Sequence, residues 1–186
     1  VNSDRAKEEC GIVGVYSSPG DEDVARVAFF GLYALQHRGQ ESVGIATADG
    51  EKLRYHTAMG LIAQSLQEDD LSNLTGHIAI GHTRYSTTGS NNLRNAQPII
   101  AYGPDLELAL AHNGNVVNSL ELRDELLEWG CTFSSTSDSE IIAQLIAHAP
   151  ATTWEDRISY CMRRLQGAYS LTIMTKDVLL AVRDPL

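Results

Sequence analysis

One apolar stretch near the start of the chain, residues 10–16, most constrains the fold. Residues 12–16 carry the β-branched and aromatic side chains that are typical of a buried strand. Gly11 and Gly14 would let another backbone or a substrate approach closely. Cys10 comes directly before this strand, so we expect a thiol at its mouth. From this stretch alone, Cys10 fits either a nucleophile or a small buried apolar residue.

Length and composition predict one soluble domain of ordinary size. The chain has 186 residues, of which 43% are hydrophobic, and no apolar run reaches the roughly 18 residues that span a bilayer. The net charge is -10, with only 14 scattered Lys and Arg residues. Nucleic acid is therefore an unexpected partner, and a small polar substrate fits better. With no signal-peptide pattern, a cytoplasmic location is expected.

The three cysteines are Cys10, Cys131 and Cys161. Their number is odd and their spacing lacks a Cys-x-x-Cys pair. The sequence thus predicts neither a disulfide framework nor a zinc site.

Hydrophobic periodicity predicts strands at both ends of the chain and helices between them. A helix is expected over residues 24–35, ending near Gly39, and a hairpin is expected around Asp49 and Gly50. Further strands are predicted at residues 78–82, 106–112, 169–174 and 178–182. This order is typical of an α+β domain, with no internal boundary.

Three later helices show the spacing of a capping box, in which a capping side chain stands three residues before an acid. The pairs are Asn118 with Glu121, Ser137 with Glu140, and Thr152 with Glu155.

Four polar stretches follow these elements, where sites are usually built. They cover residues 36–42, 81–89, 111–115 and 136–140. Each also has a purely structural interpretation: Arg38 would neutralise a helix end, Asn113 and Gly114 would form a turn, and Asp138 would favour a helix N-terminus.

Together these stretches supply groups that amide hydrolysis needs. A thiol attacks the amide carbon, and an Asn side chain with a Gly N–H can hold the oxyanion. An Arg and an Asp can bind the carboxylate and ammonium of a free amino acid. The residues alone leave the general base open, because neither His82 nor His112 can be assigned that role.

The four stretches in this order resemble the class II, N-terminal-nucleophile glutamine amidotransferases. Leu-Gln-His-Arg-Gly-Gln-Glu-Ser at residues 35–42 is similar to the amidophosphoribosyltransferase branch of that family, and so is Arg84 followed by Tyr85 and Ser86. Glucosamine-phosphate synthases typically show Tyr-Arg-Gly-Tyr-Asp-Ser instead. The resemblance implies an α+β fold, the four-layer αββα sandwich of the N-terminal nucleophile hydrolases.

The resemblance also implies roles for individual residues. Cys10 would be the nucleophile, and its own α-amino group the base, with a pKa near 7.7–8. Asn113 and Gly114 would form the oxyanion hole. Arg84 and Asp138 would bind the glutamine α-carboxylate and α-amino group, and Arg38 would close the pocket.

In this sequence nine residues precede Cys10, so its nitrogen is a peptide amide. Residues 1–9 are therefore expected to be a leader that is removed, with the glutaminase domain at residues 10–186. The resemblance places a phosphoribosyltransferase domain beyond Leu186. Any Mg²⁺ or iron–sulfur cluster would belong there, with no cofactor or metal in this chain, and the full-length protein would be a homo-oligomer.

Two alternatives stay open. The chain could be the glutaminase domain of another class II amidotransferase. It could also be a non-catalytic module that binds glutamine, if Cys10 stays blocked by the residues before it.

Overall fold

The computed structural model of the chain describes residues 10–18, 23–38, 41–84 and 92–185, and for Arg38 the backbone alone. The strands are β1 (Gly11–Tyr16), β2 (Ser42–Ala48), β3 (Leu53–Met59), β4 (Ile78–Arg84), β5 (Ile99–Tyr102), β6 (Glu107–Val116), β7 (Gly167–Met174) and β8 (Leu179–Arg183). The helices are α1 (Val24–Ala34), α2 (Ile62–Ser65), α3 (Glu68–Asn73), α4 (Ser119–Glu128), α5 (Asp138–His148) and α6 (Trp154–Arg164). Short 3-10 helices lie at Gln36–Arg38 and Leu93–Asn95.

The strands form two four-stranded sheets. The first has the order β1-β4-β2-β3 and the second the order β5-β6-β7-β8. Neighbouring strands are antiparallel throughout. Strands β4, β6 and β7 therefore lie inside their sheets, where the pairing on both sides fixes their register.

The core has three layers of buried side chains, which separate four layers of backbone. One lies between the first sheet and α1 to α3, and includes Leu32 and Ile45. Another lies between the second sheet and α4 to α6, and includes Leu110 and Ile142. The third lies between the two sheets. The αββα sandwich that the resemblance implied is thus confirmed.

The layer between the sheets is built largely from small side chains. Its fully buried members are Ala46, Ala48, Ile78, Ile80, Ala109, Ala111 and Met174. Four of these seven are alanines, two from β2 and two from β6. Alanine adds little height above a sheet, so this composition favours close approach of the two sheets.

Glycine lets α1 pack closely on the first sheet. A Cβ added at Gly31 of α1 would lie 3.2 Å from both methyl groups of Val13, and one added at Gly81 of β4 would lie 2.8 Å from Leu32 Cδ1. The helix ends at Ala34, and the chain continues into the 3-10 helix. Gly39, the predicted cap, lies outside the described residues.

Most predicted elements are confirmed, with shifted ends. The hairpin around Asp49 and Gly50 joins β2 to β3. The strand predicted at residues 106–112 extends to Val116, and β5 was not predicted at all. Residues 61–74, a mixed pattern in the sequence, form α2 and α3.

The predicted capping boxes are wrong in detail. The Asn118 side chain does not cap α4, because its amide donates to the carbonyl of Arg164 and accepts from the N–H of Gln166. Thr153, one residue later than predicted, caps α6 by accepting from the N–H of Asp156.

Ser137 does cap α5, since its hydroxyl accepts from the N–H of Glu140. Glu140 does not complete the box. Its buried carboxylate instead accepts four hydrogen bonds from the N–H and hydroxyl groups of Ser134 and Ser135. Glu140 therefore fixes the loop that leads into α5.

Candidate active site

Cys10 and Arg84 lie side by side at one end of the first sheet. Gly11, the first residue of β1, pairs with Thr83 of β4. The antiparallel register therefore carries Cys10 to the level of Arg84, the last residue of β4. Cys10 is half-buried. The nucleophile candidate and the residue that was predicted to bind a substrate carboxylate thus occupy adjacent positions on neighbouring strands.

Gly11 brings the end of α1 to the same place. A Cβ at this position would lie 2.9 Å from Leu35 Cβ and 2.9 Å from Thr83 Cγ2, so a side chain cannot fit. The 3-10 helix Gln36–Arg38 follows Leu35 directly. The 3-10 helix that contains Arg38 therefore begins close to Gly11, the neighbour of Cys10 in the chain, while the Arg38 side chain is outside the described part of the chain.

Asn113 and Gly114 lie within β6, not in a turn after it. They pair with Ser170 and Tyr169 of β7. Gly114 has φ +144, and a Cβ there would lie 2.1 Å from the carbonyl oxygen of Ala168. The backbone at Gly114 is thus turned out of the usual strand conformation, which only glycine adopts easily.

Asp138 begins α5 and is tied to the end of β6. Its Oδ2 accepts a hydrogen bond of 3.0 Å from the N–H of Val116. Its Oδ1 lies 3.7 Å from Nδ1 of His112, whose ring also contacts the Ser139 hydroxyl at 3.1 Å. One carboxylate therefore connects the helix N-terminus to the strand that carries Asn113 and Gly114.

A buried hydrogen bond joins the two sheets behind these residues. Nε2 of His82 in β4 donates to the carbonyl oxygen of His112 in β6, at 3.1 Å. Because this nitrogen donates, the neutral ring carries its proton there. Both histidines are fully buried. Since His82 is two residues before Arg84, and His112 directly precedes Asn113, the bond fixes the two halves of the site.

Burial disfavours the charged form of both rings. Burial first, and then the nearby His112, lower the pKa of His82 to about 3. Burial also lowers the pKa of His112, against the opposing effect of the Asp138 carboxylate. Both rings are therefore neutral at pH 7. Their burial in the sheet interior favours a structural role over that of a base acting on substrate.

Comparison with known proteins identifies the family. The glutamine amidotransferase domain family matches residues 82–186. The chain belongs to that family. Residues 82–186 include Arg84, Asn113, Gly114 and Asp138, and the match confirms the resemblance seen in the sequence.

Individual relatives agree with this assignment. The chain is 50% identical over 184 residues to an amidophosphoribosyltransferase of Synechococcus elongatus, covering 98% of the chain and 37% of that relative. It is 47% identical over 178 residues to the one of Methanocaldococcus jannaschii, covering 95% and 38%. The chain thus spans just over a third of the length of these curated relatives.

A solved structure supports the fold of this glutamine amidotransferase domain. The glutamine phosphoribosylpyrophosphate amidotransferase of B. subtilis, complexed with ADP and GMP, superposes with a TM-score of 0.83 at 39% identity. The match covers 94% of the chain and 37% of that structure. Together with the 98% coverage by the Synechococcus elongatus relative, it extends the family assignment across the N-terminal half of the chain, which includes Cys10.

Several contacts in this domain were not predicted from the sequence. Asn95 accepts from Arg84 Nη1 through its carbonyl oxygen, at 3.4 Å, and from the N–H of Thr136 through Oδ1, at 3.3 Å. Gln97 accepts from the N–H of His112, at 2.7 Å. Segment 92–97 therefore bridges Arg84 and the loop before Asp138. The Asn residues of this segment indicate only a turn. Its contacts could not be predicted from the sequence, because the partner residues are distant in the chain.

The other two cysteines pack in the core, as predicted. Cys131 and Cys161 are buried free thiols. Burial raises the pKa of Cys131, and it raises the pKa of Cys161 to about 12. Neither thiol is therefore a good nucleophile at neutral pH.

The described residues provide neither a metal-binding cluster nor a membrane-spanning helix. No group of three or more His, Cys, Asp or Glu residues among them is arranged to hold a metal ion. No helix in the same part of the chain is long and apolar enough to cross a bilayer.

Proposed function

We propose that this chain hydrolyses glutamine to glutamate and ammonia through a thioester on Cys10. The observation that carries the proposal is the β1–β4 register, which places the only half-buried thiol of the three beside Arg84 in a glutamine amidotransferase domain. Arg84 would bind the α-carboxylate of glutamine, and Asp138 would bind its α-ammonium group. Arg38 would close the same pocket.

The reaction requires a base for the Cys10 thiol. The α-amino group of Cys10 would take the thiol proton, and the thiolate sulfur would then attack the amide carbon of the glutamine side chain. Asn113 and the N–H of Gly114 would stabilise the oxyanion. Breaking the C–N bond would release ammonia, which takes the proton from the ammonium group.

Water would complete the cycle. The same amine would remove a proton from water as it attacks the thioester carbonyl. Breaking the C–S bond would release glutamate and regenerate the thiol. Since this chemistry needs a free amine on Cys10, the proposal includes removal of residues 1–9, which lie outside the described residues.

The ammonia would serve phosphoribosylamine formation, the first step of purine synthesis. The support is the 50% identity to a relative named amidophosphoribosyltransferase. The transfer would take place on a phosphoribosyltransferase domain, where any Mg²⁺ or iron–sulfur cluster would also be held, and the full-length protein would be a homo-oligomer. Three free thiols fit a reducing compartment such as the cytoplasm.

One experiment tests the proposal directly. Purified protein should have an intact mass that begins at Cys10, and it should release glutamate from glutamine. Cys10→Ala should retain residues 1–9 and release none. A glutamine-like diazo-ketone should label Cys10 and spare Cys131 and Cys161, whose pKa values are raised.

Two outcomes would overturn it. Full activity in protein that still begins at Val1 would exclude the α-amine as the base. Binding of glutamine without release of glutamate, by protein that begins at Cys10, would favour the non-catalytic module instead.

A further inference from the structure

Glu41 carries a buried carboxylate that the proposed mechanism does not use. Its side chain is only 9% exposed. Neither carboxylate oxygen has a hydrogen-bond donor within the described part of the chain. A buried carboxylate without donors is costly unless an opposite charge lies nearby. The location of a positive charge near Glu41 therefore indicates what this carboxylate does.

The nearby charge is Arg84. Oε2 of Glu41 lies 3.8 Å from Nε of Arg84, whose side chain is 15% exposed. Nη1 of the same guanidinium donates to the Asn95 carbonyl. These two contacts approach Nε and Nη1, and neither of them occupies Nη2. Glu41 and Asn95 thus hold the guanidinium in one orientation.

The backbone of Glu41 is also fixed. Its N–H donates to the carbonyl of Arg84 at 3.0 Å, and its carbonyl accepts from the N–H of Gly60 at 2.7 Å. Ser42, the next residue, pairs with Arg84 in the β2–β4 register. Glu41 is therefore anchored just before β2, between the end of β4 on one side and the end of β3 on the other.

The strand order excludes Glu41 from the space over the thiol. In the order β1-β4-β2, Arg84 lies between Cys10 on one side and Glu41 on the other. Two strand spacings separate Glu41 from Cys10, or about 10 Å between their backbones. Glu41 can thus hold Arg84 from the side opposite Cys10 without contacting the reacting atoms.

We propose that Glu41 is a positioning residue, which orients the Arg84 guanidinium toward the α-carboxylate of the substrate. This inference rests on the proposed function of Arg84. It identifies Glu41 as a residue that contributes, by orienting Arg84, to the specificity of this site for a free amino acid. The effect should appear in substrate binding, because the chemical step takes place at the other end of glutamine.

The test compares Glu41→Gln with wild type on two substrates. One is glutamine, and the other is its α-amide, in which a neutral carboxamide replaces the α-carboxylate. For glutamine, Glu41→Gln should raise KM about tenfold with little change in kcat, as expected when a charged contact is misaligned. For the α-amide, kcat/KM should stay within about twofold of wild type.

The α-amide also reports folding, since a misfolded variant would lose both reactions. Glu125→Gln is the matched control, because Glu125 pairs with Arg164 on α4 and α6, away from the site. It should leave both substrates unaffected. Glu41→Asp keeps the charge and should restore part of the affinity for glutamine. In an Arg84→Ala background, Glu41→Gln should add nothing further.

The outcomes separate the two proposals. Wild type that hydrolyses neither substrate overturns the proposed function and this inference with it. Active wild type with an unchanged or lower KM in Glu41→Gln overturns the inference alone, since a lower KM would mean that Glu41 competes with the substrate. An equal loss on both substrates would assign Glu41 a general structural role.

Discussion

Asp138 has an observed hydrogen bond, with Val116, and a proposed contact, with the substrate, and the two place different demands on its side chain. Val116 needs an acceptor for its backbone N–H, which either a carboxylate or an amide oxygen provides. The proposed contact with the ammonium group of glutamine needs the negative charge. Two substitutions can therefore separate the structural role of Asp138 from its role in binding.

Asp138→Asn keeps an acceptor and removes the charge. We expect it to raise KM for glutamine at least about tenfold, with kcat nearly unchanged, because losing one charged hydrogen-bond partner costs roughly 1.5–3 kcal/mol. Asp138→Ala also frees the end of β6, so kcat should fall as well. Steady-state kinetics of both variants checks this, and an equal fall in kcat for the two would contradict it.

At the scale of single residues, the sequence was more informative about which side chains could react or bind charge than about which residues contact each other. The apolar stretch at residues 10–16 drew attention to Cys10, and the polar stretches drew attention to Arg84 and Asp138, because each carries a reactive or charged group at the end of an element. The pairing of Arg84 with Glu41 was not predictable, since it depends on the register of two strands and joins residues that lie 43 positions apart in the chain. The roles assigned to the site residues remain predictions, for Cys10, Arg84 and Asp138 as for Arg38, Asn113 and Gly114.

Among the structural elements, β6 carries the most unusual backbone. Gly114 combines φ +144 with the carbonyl of Ala168 where a Cβ would stand. Gly130, after α4, has φ +88 but no atom within 4 Å of its Cβ position. An alanine at either position would therefore adopt a strained φ, and only an alanine at position 114 would also clash with a neighbouring carbonyl.

Gly114→Ala should destabilise the protein more than Gly130→Ala. Strain from a positive φ costs of order 1–3 kcal/mol, and a clash in a packed site adds a similar amount. Gly114→Ala should also abolish glutamine hydrolysis, whereas Gly130→Ala should retain it. Denaturant unfolding and glutamate release measure the two effects. Equal free energies of unfolding for the variants would contradict the prediction.

The elements most accessible from sequence are those with strong local signals. The hairpin at Asp49 and Gly50 was predicted because both its strands and its turn are marked locally. In contrast, β5 has only four residues and is stabilised by pairing with β6, a contact that local periodicity does not reveal. The cap of α4 was wrong because Asn118 bonds residues 46 and 48 positions away.

Across the whole molecule, the two buried histidines should make stability depend on pH. His82 has a pKa of about 3 in the folded state, against about 6.5 when unfolded, and the pKa of His112 is also lowered. Below pH 6.5 the unfolded chain therefore binds more protons. The free energy of unfolding is highest above pH 6.5, and it falls as the pH drops from there toward the folded pKa.

The expected loss is about 2 kcal/mol for His82 between pH 6.5 and 5, at 1.36 kcal/mol per pH unit. His82→Gln removes the titrating group and keeps an amide donor for the His112 carbonyl, so its pH dependence should be shallower. Denaturant unfolding at pH 7 and pH 5 measures the difference. Identical slopes for wild type and variant would refute the assignment.

Asp49 does not interfere in that pH window. Hydrogen bonds from the N–H of Lys52 and from Arg54 hold the pKa of Asp49 well below its usual range. Its contribution to stability is present above pH 4 and is lost only at lower pH. Groups that wild type and His82→Gln share contribute to both slopes, so the difference between the two slopes reports the histidine.

The alanines between the sheets set the spacing of the two sheets that carry the proposed site. Cys10 and Arg84 belong to one sheet, whereas Asn113, Gly114 and the strand end held by Asp138 belong to the other. The distance between the proposed nucleophile and the proposed oxyanion donors thus depends on the height of Ala46, Ala48, Ala109 and Ala111. The geometry of the proposed site would therefore be set by side chains that do not contact the substrate, and one added methylene group there would shift Cys10 relative to Asn113.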